Sequence, residues 1–427
     1  MTAAVATMRE RCSSLLLAVP FALYATTVWH YSVNVPYWDD FSVILRPVAA
    51  VFSADTLRGQ LAILSAPNAG HLPLLTRLVA VLQVWLTGAI DFRQSILAAN
   101  LGWLLATALL LGYARRQWQL RGSALLPIPL LMLSVIHWEA MDFATPAWQM
   151  YWGSALLPLL ALLAAVHGRW PLAGCAYAVA LFFSSGALAL LPLLGGYALY
   201  RRQWRQALPF GLLALAATAL FLAINTPQVA QGAVALPAWP VALAFVPAFL
   251  GNVISNGSWI LSHLAWLHIA LGIGVLAAGA LVLYLPARFD AAKLVFCYVL
   301  ALAAMAVYLR GGEYPWVVSR YAPFALLNAA TLYAALAGHW QQLPAVPSRP
   351  LLAAAIALAT ALWLHSYHRC LATLADNRAL RLAAATQYLQ AGLPGEKLLW
   401  DVHYGATVLH EARAAGVFDS RVWEGAR

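Results

Sequence analysis

Apolar runs of roughly 17–25 residues recur from one end of this chain to the other, and a run of that length matches a hydrocarbon core about 30 Å thick. They decide which solvent the fold must satisfy. Hydrophobic residues make up 63% of the chain and charged residues 9%, against about 25% charged in ordinary soluble domains. Lipid cannot hydrogen-bond a bare backbone, so only helices or closed barrels cross it, and these runs are too long and continuous for barrel strands. The expected fold is an all-α polytopic membrane protein.

The formal net charge of +10 does not point to nucleic acid. The basic residues fall in short clusters between apolar runs, as in loops that stay cytoplasmic. Cys12, Cys175, Cys297 and Cys370 are far apart and have neither metal nor disulfide spacing. Arg9 and Arg11 precede the first run, Cys12–Tyr31, which reads as a retained signal-anchor with a cytoplasmic N-terminus.

Topology hinges on residues 71–90, which carry Arg77. Crossing fully would put the cluster Arg115, Arg116 and Arg121 outside. Lying along the outer surface, the segment leaves that cluster inside, together with Arg169, Arg201, Arg202 and Arg205. The positive-inside rule favours the surface position, and an arginine at the bilayer centre costs ~2.5–3.5 kcal/mol. Further spans fall near 95–114, 122–137, 151–166, 171–185, 187–200, 207–224, 264–285, 294–309, 322–337 and 351–367. With the first, this gives about 11 crossings and an outer C-terminus. Segment 241–260, broken by Pro247, Gly251 and Gly257, reads as a re-entrant or interfacial hairpin. Residues 1–367 form the membrane domain, with a first outer loop over 32–94. Residues 368–427 form a small outer appendage, with helices over Asp376–Ala391 and Ala406–Ala415 and a short strand at Leu398–Trp400.

Under this topology the acids gather outside, although acids contribute little to orientation. The first outer loop opens on Pro36-Tyr37-Trp38-Asp39-Asp40-Phe41, paired carboxylates among interfacial aromatics. His71 follows at the start of the surface helix, and Glu139 and Asp142 follow the third span. Arg310, Glu313, Arg320 and Tyr321 come late in the chain. Early acids and late arginines on one face suit an anionic lipid-linked substrate. A carboxylate deprotonates an acceptor hydroxyl, and arginines hold phosphate by charge-assisted hydrogen bonds. Each residue also has a plainer use: Asp39 and Asp40 can open a helix, Glu139 and Asp142 can end one, and Arg310 and Arg320 can snorkel to headgroups. His263 and His268 suit packing, and Asn256-Gly257-Ser258 has the form of a glycosylation acceptor beside a membrane segment.

The acid pair after the first span, the surface helix at Gly70-His71-Leu72-Pro73 and the second acid after the third span together resemble GT-C glycosyltransferases. The likeness is to the bacterial branch similar to protein mannosyltransferases and aminoarabinose transferases, and it covers most of residues 10–330 as an order of features. It implies a GT-C-like bundle in the bacterial inner membrane that uses a polyprenyl-phosphate sugar donor and an acceptor (glycan, lipid or protein) outside the cytoplasm. By that resemblance Asp39 is the general base, with Asp40 the alternative, and Glu139 assists. Arg310, Arg320 and Tyr321 hold the lipid phosphate, with Trp38 and His71 beside the substrate. His71 departs from the family pattern, which leaves open a divalent cation (Mg or Mn) on Asp39, Asp40, Glu139 and His71. The competing classes are a flippase, a glycan polymerase or ligase, and a non-catalytic assembly subunit.

Overall fold

The computed structural model describes residues 2–229, 239–254, 265–310, 318–343, 348–395, 398–399, 401–419 and 423. Among them every regular element is helical. Helix α1 (Thr2–Tyr31) leads into the first outer loop, built from α2 (Arg46–Ser53), α3 (Leu57–Leu64) and α4 (Leu74–Thr87). The bundle follows: α5 (Phe92–Gln117), α6 (Pro127–Met132), α7 (Trp138–Asp142), α8 (Ala144–Ala147), α9 (Leu157–Val166), α10 (Trp170–Leu181), α11 (Leu190–Tyr200) and α12 (Leu208–Val229). Then come α13 (Trp239–Leu250), α14 (Ala265–Leu283), α15 (Asp290–Arg310), α16 (Ala322–Trp340), α17 (Ser348–Ala391) and α18 (Val402–Ala414).

Eight helices among the described residues are long and apolar enough to cross a membrane. Two of the spans expected from sequence take another form. Residues 171–185 become α10, with 12 residues, and 187–200 become α11, with 11. At 1.5 Å per residue neither exceeds about 18 Å, short of a ~30 Å core. Between them Ser184 and Ser185 break the helix. Ser184 Oγ pairs with Ser154 Oγ at 2.9 Å, so the irregular backbone is covered by protein, as lipid requires.

Helix α4 has 14 residues, about 21 Å, which is also too short to cross alone. Arg77 does not reach into lipid from it. It is 2% exposed and donates to the carbonyls of Val43 (3.1 Å), Ile63 (3.3 Å), Leu64 (3.0 Å) and Ala66. These include carbonyls at the end of α3, where a cation suits the helix dipole. The opposite face of α4 leaves Leu82, Trp85 and Leu86 exposed. Helix α13 is likewise short, with 12 residues, and packs antiparallel on α14, Pro247 beside Gly272 and Gly251 beside His268.

Two differences concern the tail. The expected helices at 351–367 and 376–391 are one continuous helix, α17, of 44 residues, because no breaker lies between Ser348 and Ala391. Leu398 and Leu399 form no strand. With no neighbouring strand to pair with, Leu398 offers its carbonyl to Trp38 N instead, at 3.1 Å.

Charge separates along the bundle. Asp290 at one end faces Arg201 (3.7 Å) and Lys293 (3.1 Å), and Trp118 Nε1 donates to Arg288 O at 3.2 Å. The opposite end carries Asp39, Glu139, Asp142, Arg320 and Arg381 in mutual contact.

Candidate active site

Trp38 adopts a left-handed backbone (φ 46°) and turns the chain into a helix that begins at Asp39 and Asp40. The next residues, Phe41–Leu45, are π-helical, a winding frequent at functional sites. Acids in a first helical turn suit the helix dipole, but Asp40 does not cap this helix with its side chain. Its carboxylate is 1% exposed and accepts from Thr145 N at 2.8 Å and Tyr37 N at 3.2 Å. Burial, outweighing those two donors, pushes its pKa up to about 6.

Asp39 points the other way. Its side chain is 54% exposed, and Oδ2 lies 3.8 Å from Arg320 Nη1. Arg320 is placed from the far side, because its backbone N donates to Glu139 Oε2 at 3.1 Å. The short helical turn Ser319–Tyr321 that carries it is tied down by Asn252 Nδ2 on Val318 O at 3.1 Å and by the Tyr321 ring against Phe249 and Phe324. Three of the residues expected at the site, Asp39, Glu139 and Arg320, therefore meet, from stretches about 100 and 180 positions apart.

The remaining expectations divide. Trp38 is 47% exposed beside Asp39. His71 ends a two-residue reversal in which Asn68 and His71 exchange backbone hydrogen bonds of 2.9 Å, with Ala69 (φ 46°) and Gly70 (φ 77°) in the turn. Its Nδ1 sits 2.8 Å from Ser185 Oγ, and Gly70 O accepts from Asn225 Nδ2 at 3.2 Å. Arg310 ends α15, but its side chain lies outside the described residues, as do Glu313, His263 and Asn256-Gly257-Ser258. No group of three or more His, Cys, Asp or Glu side chains among the described residues is arranged to hold a metal ion. Asp40 faces backbone donors and His71 faces Ser185, so the four candidate ligands do not form one cage.

A residue without a sequence expectation completes the floor of the site. Arg381 on α17 is fully buried and pairs with Asp142, also donating from Nη1 to Asp142 O at 3.0 Å. Its guanidinium lies between the rings of Tyr37 and Phe143. The sequence did contain a signal. The buried face of α17 runs Cys370, Leu374, Arg381, Ala385 and Tyr388, and Arg381 occupies a core position in that stripe. The pair joins the tail to α7, which carries Glu139.

No family model matches this chain, and no curated protein or solved structure matches it.

Proposed function

We propose that this protein is an integral-membrane glycosyltransferase of GT-C type that moves a sugar from a polyprenyl-phosphate donor to an acceptor outside the cytoplasm, with inversion at the anomeric carbon. The observation that carries it is the exposed Asp39 carboxylate against Arg320, itself held by Glu139. A base for the acceptor and a cation for the leaving phosphate stand at one mouth of a membrane bundle. The basic clusters at the other end favour a cytoplasmic position there, which leaves the site facing outward.

In the resting site Arg320 neutralises Asp39. An arriving donor phosphate competes for the guanidinium, which binds phosphate oxygens in a bidentate fork. Asp39, released, accepts the proton of the acceptor hydroxyl as that oxygen attacks the anomeric carbon. The bond from that carbon to the phosphate oxygen breaks on the opposite face, and the lipid phosphate leaves with its negative charge met by Arg320. Asp40, turned to backbone, shapes the loop and takes no proton from the acceptor.

The test uses purified full-length protein with radiolabelled polyprenyl-phosphate sugars and a crude envelope acceptor. The wild type transfers label and Asp40→Asn retains transfer, while Asp39→Asn loses at least about 100-fold, the scale of a general base. Activity in Asp39→Asn close to wild type overturns the mechanism. A wild type that moves intact lipid-linked sugar across vesicles without transferring it identifies a flippase instead.

A further inference from the structure

At the basic end of the bundle a groove of about 560 Å³ opens between α5, α9 and α10. Its walls are apolar, from Leu109, Leu160, Leu163 and Leu172, and its rim carries Arg116 and Arg169. No acid lines it, and among the described residues neither arginine makes an ion pair. Asp290, whose charge is felt at nearby Tyr113, is already matched by Arg201 and Lys293. The groove thus has a net positive mouth over an apolar channel.

We propose that this groove binds one anionic glycerophospholipid, with its phosphate between Arg116 and Arg169 and an acyl chain along the leucines. The geometry matches the molecule part by part. Arg116 lies in the last turn of α5, and Ala108, which also lines the groove, lies eight positions earlier. That is about 12 Å along the helix, most of one leaflet of a ~30 Å core. Helix α10 begins at Arg169 and turns its N-terminal end toward the rim, which also favours an anion. At the groove lining Gly112 has open space where a Cβ would stand, so the channel is not blocked by a neighbouring side chain. Basic pockets between membrane helices recognise anionic headgroups in this way. The site is separate from Asp39 and does not depend on the transfer reaction.

The experiment is native mass spectrometry of the full-length protein in neutral detergent, titrated with dioleoylphosphatidylglycerol or dioleoylphosphatidylcholine. The wild type retains the anionic lipid roughly tenfold better than the zwitterionic one. Arg116→Gln with Arg169→Gln abolishes that preference. Gly112→Trp fills the channel and lowers retention of the anionic lipid by a similar factor, without a charge change and with an unaltered melting temperature. Arg202→Gln, on the same end but outside the groove, leaves retention as in the wild type. Equal retention of the two lipids by the wild type overturns the proposal. So does retention unchanged by both the arginine pair and Gly112→Trp, or an equal fall in Arg202→Gln. Displacement of the lipid by millimolar inorganic phosphate alone would assign the arginines to a free anion rather than to a lipid.

Discussion

Consecutive residues of a helix point about 100° apart, so two neighbouring acids at a helix start cannot share surroundings. Asp39 projects to the mouth of the site and Asp40 under it, onto the Thr145 and Tyr37 amides. Burial raises the Asp40 pKa from its ordinary 3.8 to about 6, and the sign for stability follows. Between those two values the folded chain keeps a proton that the unfolded chain has lost, so this residue makes the fold less stable as pH rises from about 4 to about 6. Thermal melting of wild type and Asp40→Asn across pH 4–7 checks it: the wild type loses stability relative to the variant over that window, and the difference is flat above it. Parallel curves throughout would mean that Asp40 does not titrate in this way. At this scale the sequence was informative where chemistry is written in residue type. Asp39, Glu139 and Arg320 were legible as acids and a base on one face. The roles of Arg77 and Arg381 were not. Arg77 bonds to main-chain carbonyls, which no residue type announces, and Arg381 bonds to an acid 239 positions away.

Helices shorter than the bilayer are where hydropathy misleads. An apolar run in sequence does not say whether its residues form one helix or two pieces with a break. The runs 171–185 and 187–200 are pieces, parted at Ser184 and Ser185, because His71 and Ser154 supply polar partners at the break. Those partners come from other segments, so the break was invisible locally. Close helix approach is written more openly, in small residues. On α14, Gly272 lies so near α13 that an added Cβ would fall 1.7 Å from Pro247 O, whereas Gly274 has nothing within 4 Å. Gly272→Ala should therefore force the two helices apart and destabilise the protein by about 1–3 kcal/mol or more. Gly274→Ala should be neutral or slightly stabilising, since alanine favours a helix by about 1 kcal/mol over glycine. Melting temperatures in detergent decide it, and equal values for the two variants would contradict the close packing of α13 on α14.

The fold as a whole ties its last residues to its first loop. Helix α17 leaves the membrane bundle, at 44 residues about 66 Å long, and brings Arg381 under Asp142. Helix α18 then packs on α2 and on the π-helical turn after Asp40. Gly405 faces Phe41, Glu411 lies 3.5 Å from Arg46, and the Arg46 guanidinium covers the Tyr404 ring at 5.4 Å. Two carbonyl contacts secure the loop's ends: Ile90 N donates to Val417 O at 2.8 Å, and Trp423 Nε1 donates to Asn34 O at 2.6 Å. The composition change after Tyr367 made an outer appendage legible. Its docking surface was not, since that surface is shared with residues some 350 positions earlier. Ending the chain after Gly395 keeps α17 and Arg381 but removes every one of these contacts, including the Leu398 carbonyl that accepts from Trp38 N. Buried Val408 and Leu409, worth about 1.5–3 kcal/mol each, go with them. The eight apolar helices long enough to cross remain in the truncated chain, so it should insert into membranes like the full protein. Its first outer loop should become a protease target near Ala54 and Asp55, between α2 and α3, and transfer should fall with it. Limited proteolysis in nanodiscs reads the first effect without reference to activity. Equal protection of that loop in the full and shortened chains would show that the loop keeps its shape without the tail, leaving the Asp39 mouth to be built by the membrane helices alone.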